Sequence, residues 1–177
     1  VSQVSGSPKL GDDLVALMCG GVAVLAATRS DDLRPEVVRA WGPAVTADGS
    51  VLTLCVPAPP GSRTRSNLEA NGETAVLFVS PTSYRALQVK GTAVEWSEPR
   101  PDQLELIEEH VLAFAANTRA LGVELSQMRR LVEPIRLSPV CMVAATYTHS
   151  FVQVAATTPL VAPAGRGQAP APSRPGR

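Results

Sequence analysis

Residues 62–95 constrain the fold of this chain more than any other segment, because successive backbone signals there leave little freedom. Arg63, Thr64, Arg65, Ser66 and Asn67 gather cationic and hydroxyl groups where a short helix over residues 67–70 begins, and Asn71-Gly72 is a usual C-terminal stop. The apolar run TAVLFVS that follows is a buried type of strand. Pro81-Thr82-Ser83 turns the chain, and residues 84–95 resume as a second strand. A helix N-terminus favours anions through its free N–H groups and its dipole. Loop, helix start and paired strands at this spacing are suited to holding a phosphate at one end of a β-barrel. Within the helix start, Ser66 is expected to act as a cap, since a hydroxyl there satisfies a free N–H with or without a ligand.

The remaining segments supply the rest of such a barrel. A helix over residues 12–18 ends at Gly20-Gly21 and releases a strand over 22–28, followed by a turn at Ser30-Asp31-Asp32. The next strand, 36–46, is interrupted by Trp41-Gly42-Pro43, which predicts a bend or bulge. Asp48-Gly49 is a strong hairpin signal. Residues 99–122 predict a long helix with capping-box spacing at Asp102 and Glu105 and an apolar stripe of Leu104, Ile107, Val111, Phe114 and Leu121. A shorter helix over 125–132 and final strands over 135–137 and 140–154 complete the order, with Tyr147, His149, Phe151 and Gln153 alternating onto one face. Residues 1–158 therefore read as one domain. Residues 159–177 are Pro, Ala, Gly and Arg without periodicity, the composition of a disordered tail. Antiparallel strands joined by hairpins, with helices between them, predict a mainly β, α+β fold, a small Greek-key barrel.

Charge and rarer residues narrow the function. Lys and Arg equal Asp and Glu at 16 each, which gives no electrostatic reason to expect nucleic acid as a partner. The apolar stretch 14–27 is too short to span a membrane, and it is unlike a secretory signal because Gly20-Gly21 splits it and Asp12-Asp13 precede it. Cys19, Cys55 and Cys141 are widely spaced in apolar surroundings, and read as reduced core residues of a cytoplasmic protein. His110 and His149 have no second ligand at metal-binding spacing, so no metal is expected and both are read as structural. Neither a G-x-S-x-G elbow nor a Ser/His/Asp set supports hydrolysis.

The central segment resembles the pyridoxamine 5'-phosphate oxidase-like family of FMN-binding split barrels, over about residues 14–154. In that family a strand carries R-x-V-L-L-K, and Arg34-Pro-Glu-Val-Val-Arg39 is similar in keeping a basic residue at each end of the window. The family's S-R-K at the following helix start is similar to Ser62-Arg63-Thr64, with its lysine replaced by threonine, so that contact is weaker or comes from Arg65. A family glutamine that faces the flavin corresponds in position to Ala86. Gln88 lies two residues on, on the same strand face. The closing Trp and Arg-Leu-x-Pro elements of true pyridoxamine phosphate oxidases are unmatched, which argues against vitamin B6 oxidation; Ile135-Arg-Leu-Ser-Pro139 is only superficially similar.

The resemblance implies a six-stranded antiparallel Greek-key split β-barrel that binds FMN between two copies of the chain and acts as an oxidoreductase on a small-molecule substrate. It implies that Arg34, Arg39, Ser62, Arg63, Thr64, Arg65 and Gln88 contact the cofactor, with Arg39 and Arg63 converging on its phosphate. No catalytic residue is specified, since the flavin supplies the reactivity. The alternative is a non-enzymatic flavin-, deazaflavin- or haem-binding protein on the same barrel.

Overall fold

In a computed structural model the described residues are 10–124, 126–128 and 130, together with the backbone of 140–153. The expected strand over 135–137, half of the expected helix over 125–132 and the tail over 159–177 lie outside them. The elements run α1 (Asp12–Cys19), β1 (Ala23–Arg29), β2 (Pro35–Val45), β3 (Val51–Pro57), α2 (Arg63–Ala70), β4 (Glu73–Val79), β5 (Ala86–Ser97), α3 (Pro101–Arg119) and β6 (Val140–Gln153).

The strands form an antiparallel curled sheet in which β1 lies between β2 and β4, β3 extends from β2, and β5 extends from β4. The backbone of β6 pairs with β3 and β5, closing the order β1-β2-β3-β6-β5-β4. Alternation sorts the side chains. Val24 and Ala26 of β1, Leu52, Leu54 and Val56 of β3, Val76 and Phe78 of β4, and Leu87 and Val89 of β5 fill the interior.

β2 changes phase part way along. Its register against β3 shifts between Trp41 and Ala44, the expected bulge. Val38 and Ala40 pack on the barrel core upstream, and Val45 does so downstream, at an odd offset from them. Trp41, displaced to the other side, forms a second apolar cluster with Cys55 and with Ile107 and Val111 of α3.

α3 is joined to β2 and β1 through close backbone contact. A Cβ at Gly21 would lie 2.5 Å from the Ala113 carbonyl carbon, and one at Gly42 would lie 3.1 Å from the Ile107 nitrogen; both glycines have positive φ. His110 bridges the seam. Its Nδ1 accepts from the Gly42 N–H at 3.3 Å, so Nε2 carries the proton and donates to the Val22 carbonyl at 2.9 Å. Burial, helped by the nearby Arg39 cation, lowers its pKa to about 4 against the opposing Val22 hydrogen bond. Asn117 donates to the carbonyls of Gly20 and Gly21, both at 2.9 Å.

Several expectations are revised. α2 begins at Arg63 because Ser62, not Ser66, is the N-cap; Ser66 lies inside the helix and its hydroxyl donates back to the Ser62 carbonyl. At the start of α3, Gln103 accepts from the Arg100 N–H at 2.8 Å, while Asp102 pairs with the Arg100 guanidinium, so the box sits two residues earlier than the Asp102/Glu105 spacing suggests. Leu104 and Leu121 are exposed, and the buried stripe runs through Ile107, His110, Val111, Phe114 and Thr118. Cys19 is exposed rather than in the core, although its thiol points at the Pro43 carbonyl and burial of that group raises its pKa.

Candidate functional site: an arginine-flanked helix start at the barrel mouth

α2 is set across one end of the barrel by its inner face. Thr64, Asn67 and Leu68 are buried, and Asn67 Nδ2 donates to Thr28 Oγ1 at 3.0 Å inside the barrel. The end of the helix is tied down by Asn71, which donates to the Arg29 carbonyl and to Asp31 Oδ1 and accepts from the Glu73 N–H. These contacts fix the direction in which the helix start points.

At that start the Ser62 hydroxyl accepts from the Arg65 N–H at 3.3 Å. The Arg63 and Thr64 N–H groups, in the first turn, have no intrahelical acceptor. Arg63 extends outward with 77 % of its side chain exposed, and its guanidinium is 3.9 Å from Glu36 Oε2. An exposed pair at that separation contributes little, so an anion with better geometry can displace it. The Arg63 amide, the helix dipole and an exposed guanidinium form a donor set suited to a phosphate or carboxylate.

The other expected residues are arranged differently. Thr64 is buried as a whole residue at 2 % exposure, so neither its hydroxyl nor its amide is open to a ligand. Arg65 lies over the Trp96 ring at 4.8 Å and pairs with Glu69 at 3.5 Å. Arg34, before β2, is exposed and pairs with Asp32 at 2.8 Å. Arg39 does not join Arg63. Glu36, which Arg63 approaches, and Arg39 are an odd number of residues apart on β2 and project from opposite faces.

On that outer face Arg39 is opposite Leu25, Leu25 opposite Leu77, and Leu77 opposite Gln88, so the four align across β2, β1, β4 and β5. The Arg39 guanidinium sits in the corner of two perpendicular rings, 4.9 Å from Trp41 and 4.7 Å from Phe114 of α3. Its Nε and Nη2 are buried without a hydrogen-bond partner, and burial lowers its pKa. Beside this row a groove of about 530 Å3 opens over Ala27, Ala75 and Gly91, flanked by the Arg29–Glu73 ion pair.

Sequence reading missed Glu36, Trp96 and the Trp41/Phe114 corner. The odd spacing of Arg34 and Arg39 was the available sign that the two basic ends of one strand window diverge. Among the described residues no group of His, Cys, Asp and Glu could hold a metal, and no helix is long and apolar enough to cross a membrane.

No protein-family model matches the chain, and no curated protein matches it. Solved structures do. An F420 reductase superposes with a TM-score of 0.53 at 17% identity, over 80% of this chain and 98% of its own. A protein of the pyridoxinephosphate oxidase family from Clostridium acetobutylicum, related to general stress protein 26, matches at 13% identity over 75% of this chain and 80% of its own, with a TM-score of 0.44. An FMN-binding protein from Syntrophomonas wolfei matches at 10% identity over 78% and 82%, with a TM-score of 0.45. The latter two scores add no weight to the assignment. The chain shares the fold of the F420 reductase, and its neighbours include proteins of the kind that its sequence resembles.

Proposed function

We propose that the chain is an FMN-binding oxidoreductase of the pyridoxamine 5'-phosphate oxidase-like type, a six-stranded Greek-key split barrel that works as a cytoplasmic homodimer on a small organic molecule. The observation that carries this reading is the start of α2, where the first-turn amide of Arg63 and its exposed guanidinium fit a phosphomonoester. Ser62 serves by capping the helix and thereby orienting its first turn, while Arg34 and Arg65 are each held by a carboxylate, Asp32 and Glu69, that an anion would have to displace. The flavin, when bound, supplies two-electron chemistry, and the protein supplies anchorage and access. The half-buried outer row through Leu25 and Leu77, with Val37 57% exposed beside it, gives a second copy an apolar face to cover.

A deazaflavin in place of FMN is the second reading, because the neighbour with the higher TM-score is an F420 reductase. Haem is disfavoured at His110, whose ring nitrogens are both engaged by the backbone.

Titration of FMN and riboflavin against the wild type and Arg63→Ala tests the proposal. Arg63→Ala is expected to weaken FMN by roughly 1.5–3 kcal/mol, about one to two decades in Kd, and to leave riboflavin unchanged. Equal losses for both ligands, or none for either, would remove the phosphate from α2. Light scattering across a concentration series tests the dimer, and a persistent monomer mass would sink it.

A further inference from the structure

We infer that the cleft between α1, the irregularity of β2 and α3 is a second binding site, which takes a small protonated amine with an apolar body: the body lies against Pro43, Ala44 and Leu106, and Glu109 receives the ammonium. It shares no residue with the mouth capped by α2 and stands independently of the flavin reading.

The cleft exists because β2 leaves its regular register. Between Trp41 and Ala44 the pairing with β3 shifts, Trp41 turns into the cluster under α3, and the residues after it stand off from the helix. The space left has a volume of about 440 Å3, within the range of small-ligand pockets. Irregularities of this kind are over-represented beside functional sites, where they re-aim side chains.

Its walls are held apart. Leu106 is set against Gly42, where an added Cβ would lie 3.2 Å from the Leu106 carbonyl carbon, and Ala113 is set against Gly21, where one would lie 2.5 Å from the Ala113 carbonyl carbon. Between the two, His110 bonds to the backbone of Gly42 and of Val22. Closing the cleft would bury more of the half-exposed Leu106 and Ala44, but only by breaking one of these contacts. Walls fixed before a ligand arrives lose little order when it binds.

The polar groups of the lining select the ligand's charge. Both ring nitrogens of His110 are occupied by the backbone, and the ring is neutral. The Cys19 thiol is directed at the Pro43 carbonyl at 3.6 Å, and burial raises its pKa, so it stays protonated and is not the recognition group. Glu109 is the only charged group of the lining, and no cation pairs with it among the described residues. Glu105, one turn earlier on α3, adds to the negative potential. An anion is therefore repelled, a neutral molecule gains only the apolar contact, and an ammonium on an apolar body gains both.

Occupancy is read in the full chain at neutral pH from the rate at which methyl methanethiosulfonate labels Cys19, an exposed residue in the cleft wall, followed by peptide mass. Benzylamine is expected to slow labelling saturably, while benzyl alcohol, which lacks the charge, and methylamine, which lacks the body, act at least about three-fold more weakly. Glu109→Gln should weaken benzylamine about three- to five-fold and leave benzyl alcohol unchanged. Glu109→Lys should weaken benzylamine about ten-fold or more and let benzoate protect Cys19 instead, with FMN affinity within about two-fold of wild type. Ala44→Phe, which fills the cleft, should abolish protection by both ringed probes. The inference is overturned if benzylamine does not slow labelling, if benzyl alcohol protects as well as benzylamine, or if Glu109→Lys keeps wild-type benzylamine affinity. Should Ala44→Phe fail to melt cooperatively, Glu109→Lys decides, since that position is exposed. Failure of the wild type to bind FMN sinks the flavin reading but not this one, because the labelling series is read without flavin.

Discussion

The seam between α3 and β2 and the mouth capped by α2 are both places where a helix meets the barrel, yet they are built on opposite terms. At the seam, glycines let backbones touch, His110 spends both ring nitrogens on backbone partners, and Asn117 closes the end. At the mouth, the inner face of α2 is anchored by Thr64, Asn67 and Leu68, whereas its first turn presents the Arg63 amide and an exposed guanidinium. Satisfied polar groups lock a helix in place; unsatisfied ones on a locked helix are available to a ligand. Stability should therefore respond mainly to the seam and ligand affinity mainly to the mouth.

The severest test of that division is Gly21→Ala. Its Cβ would overlap the Ala113 carbonyl in a backbone conformation unfavourable to any other residue, and a loss of about 4 kcal/mol in chemical denaturation is expected. A cost below about 1 kcal/mol would show that α3 shifts easily and that the seam is not rigid. Next in size is the titration of His110. Its folded pKa of about 4 lies below the unfolded value of 6.5, so between these the unfolded chain holds the extra proton and stability rises with pH. Stability is thus full above about pH 6.5 and declines by about 3 kcal/mol as pH falls towards 4. Denaturation midpoints across that window, compared with His110→Asn, measure it: the variant should lose most of the slope, and a parallel slope would remove His110 as its source.

Ser62→Ala comes third. Losing the cap of α2 should cost about 1 kcal/mol in thermal melts. The same variant should weaken FMN by a similar amount through fraying of the first turn that faces the phosphate, and normal FMN titrations would show that the helix start is not the anchor. Glu36→Gln should have the smallest effect, hardly changing Tm and tightening FMN by about 0.5 kcal/mol, since Arg63 then has no competing carboxylate. Weaker FMN binding in calorimetry would reverse that assignment.

Much of the fold was legible because its signals are local. The glycine pair after α1, the Trp41-Gly42-Pro43 irregularity and Asn71-Gly72 each mark a boundary that backbone geometry enforces. The N-terminus of α2 was placed too late because its first turn is entirely polar and has no apolar periodicity to announce it, while Ser62 and Ser66 are equally plausible caps until the chain is folded. The arrangement of the site was less legible for a geometric reason. Which of two arginines share a ligand depends on strand parity and on what packs above them, and neither Phe114 nor Trp96 is near its arginine in sequence. His110 was read as structural, but its role as a double backbone bridge depends on contacts with residues far away in the chain.

The irregularity in β2 also affects how this strand can be compared with others or transplanted between them. Upstream of Trp41 even-numbered positions point inward, and by Val45 odd-numbered ones do. The strand is in effect read in two frames. An alignment that carries residues across residues 41–44 without a gap would exchange inward for outward positions on one side of it, and a chimera joined within β2 without the irregularity would place the Arg39 equivalent inside the barrel.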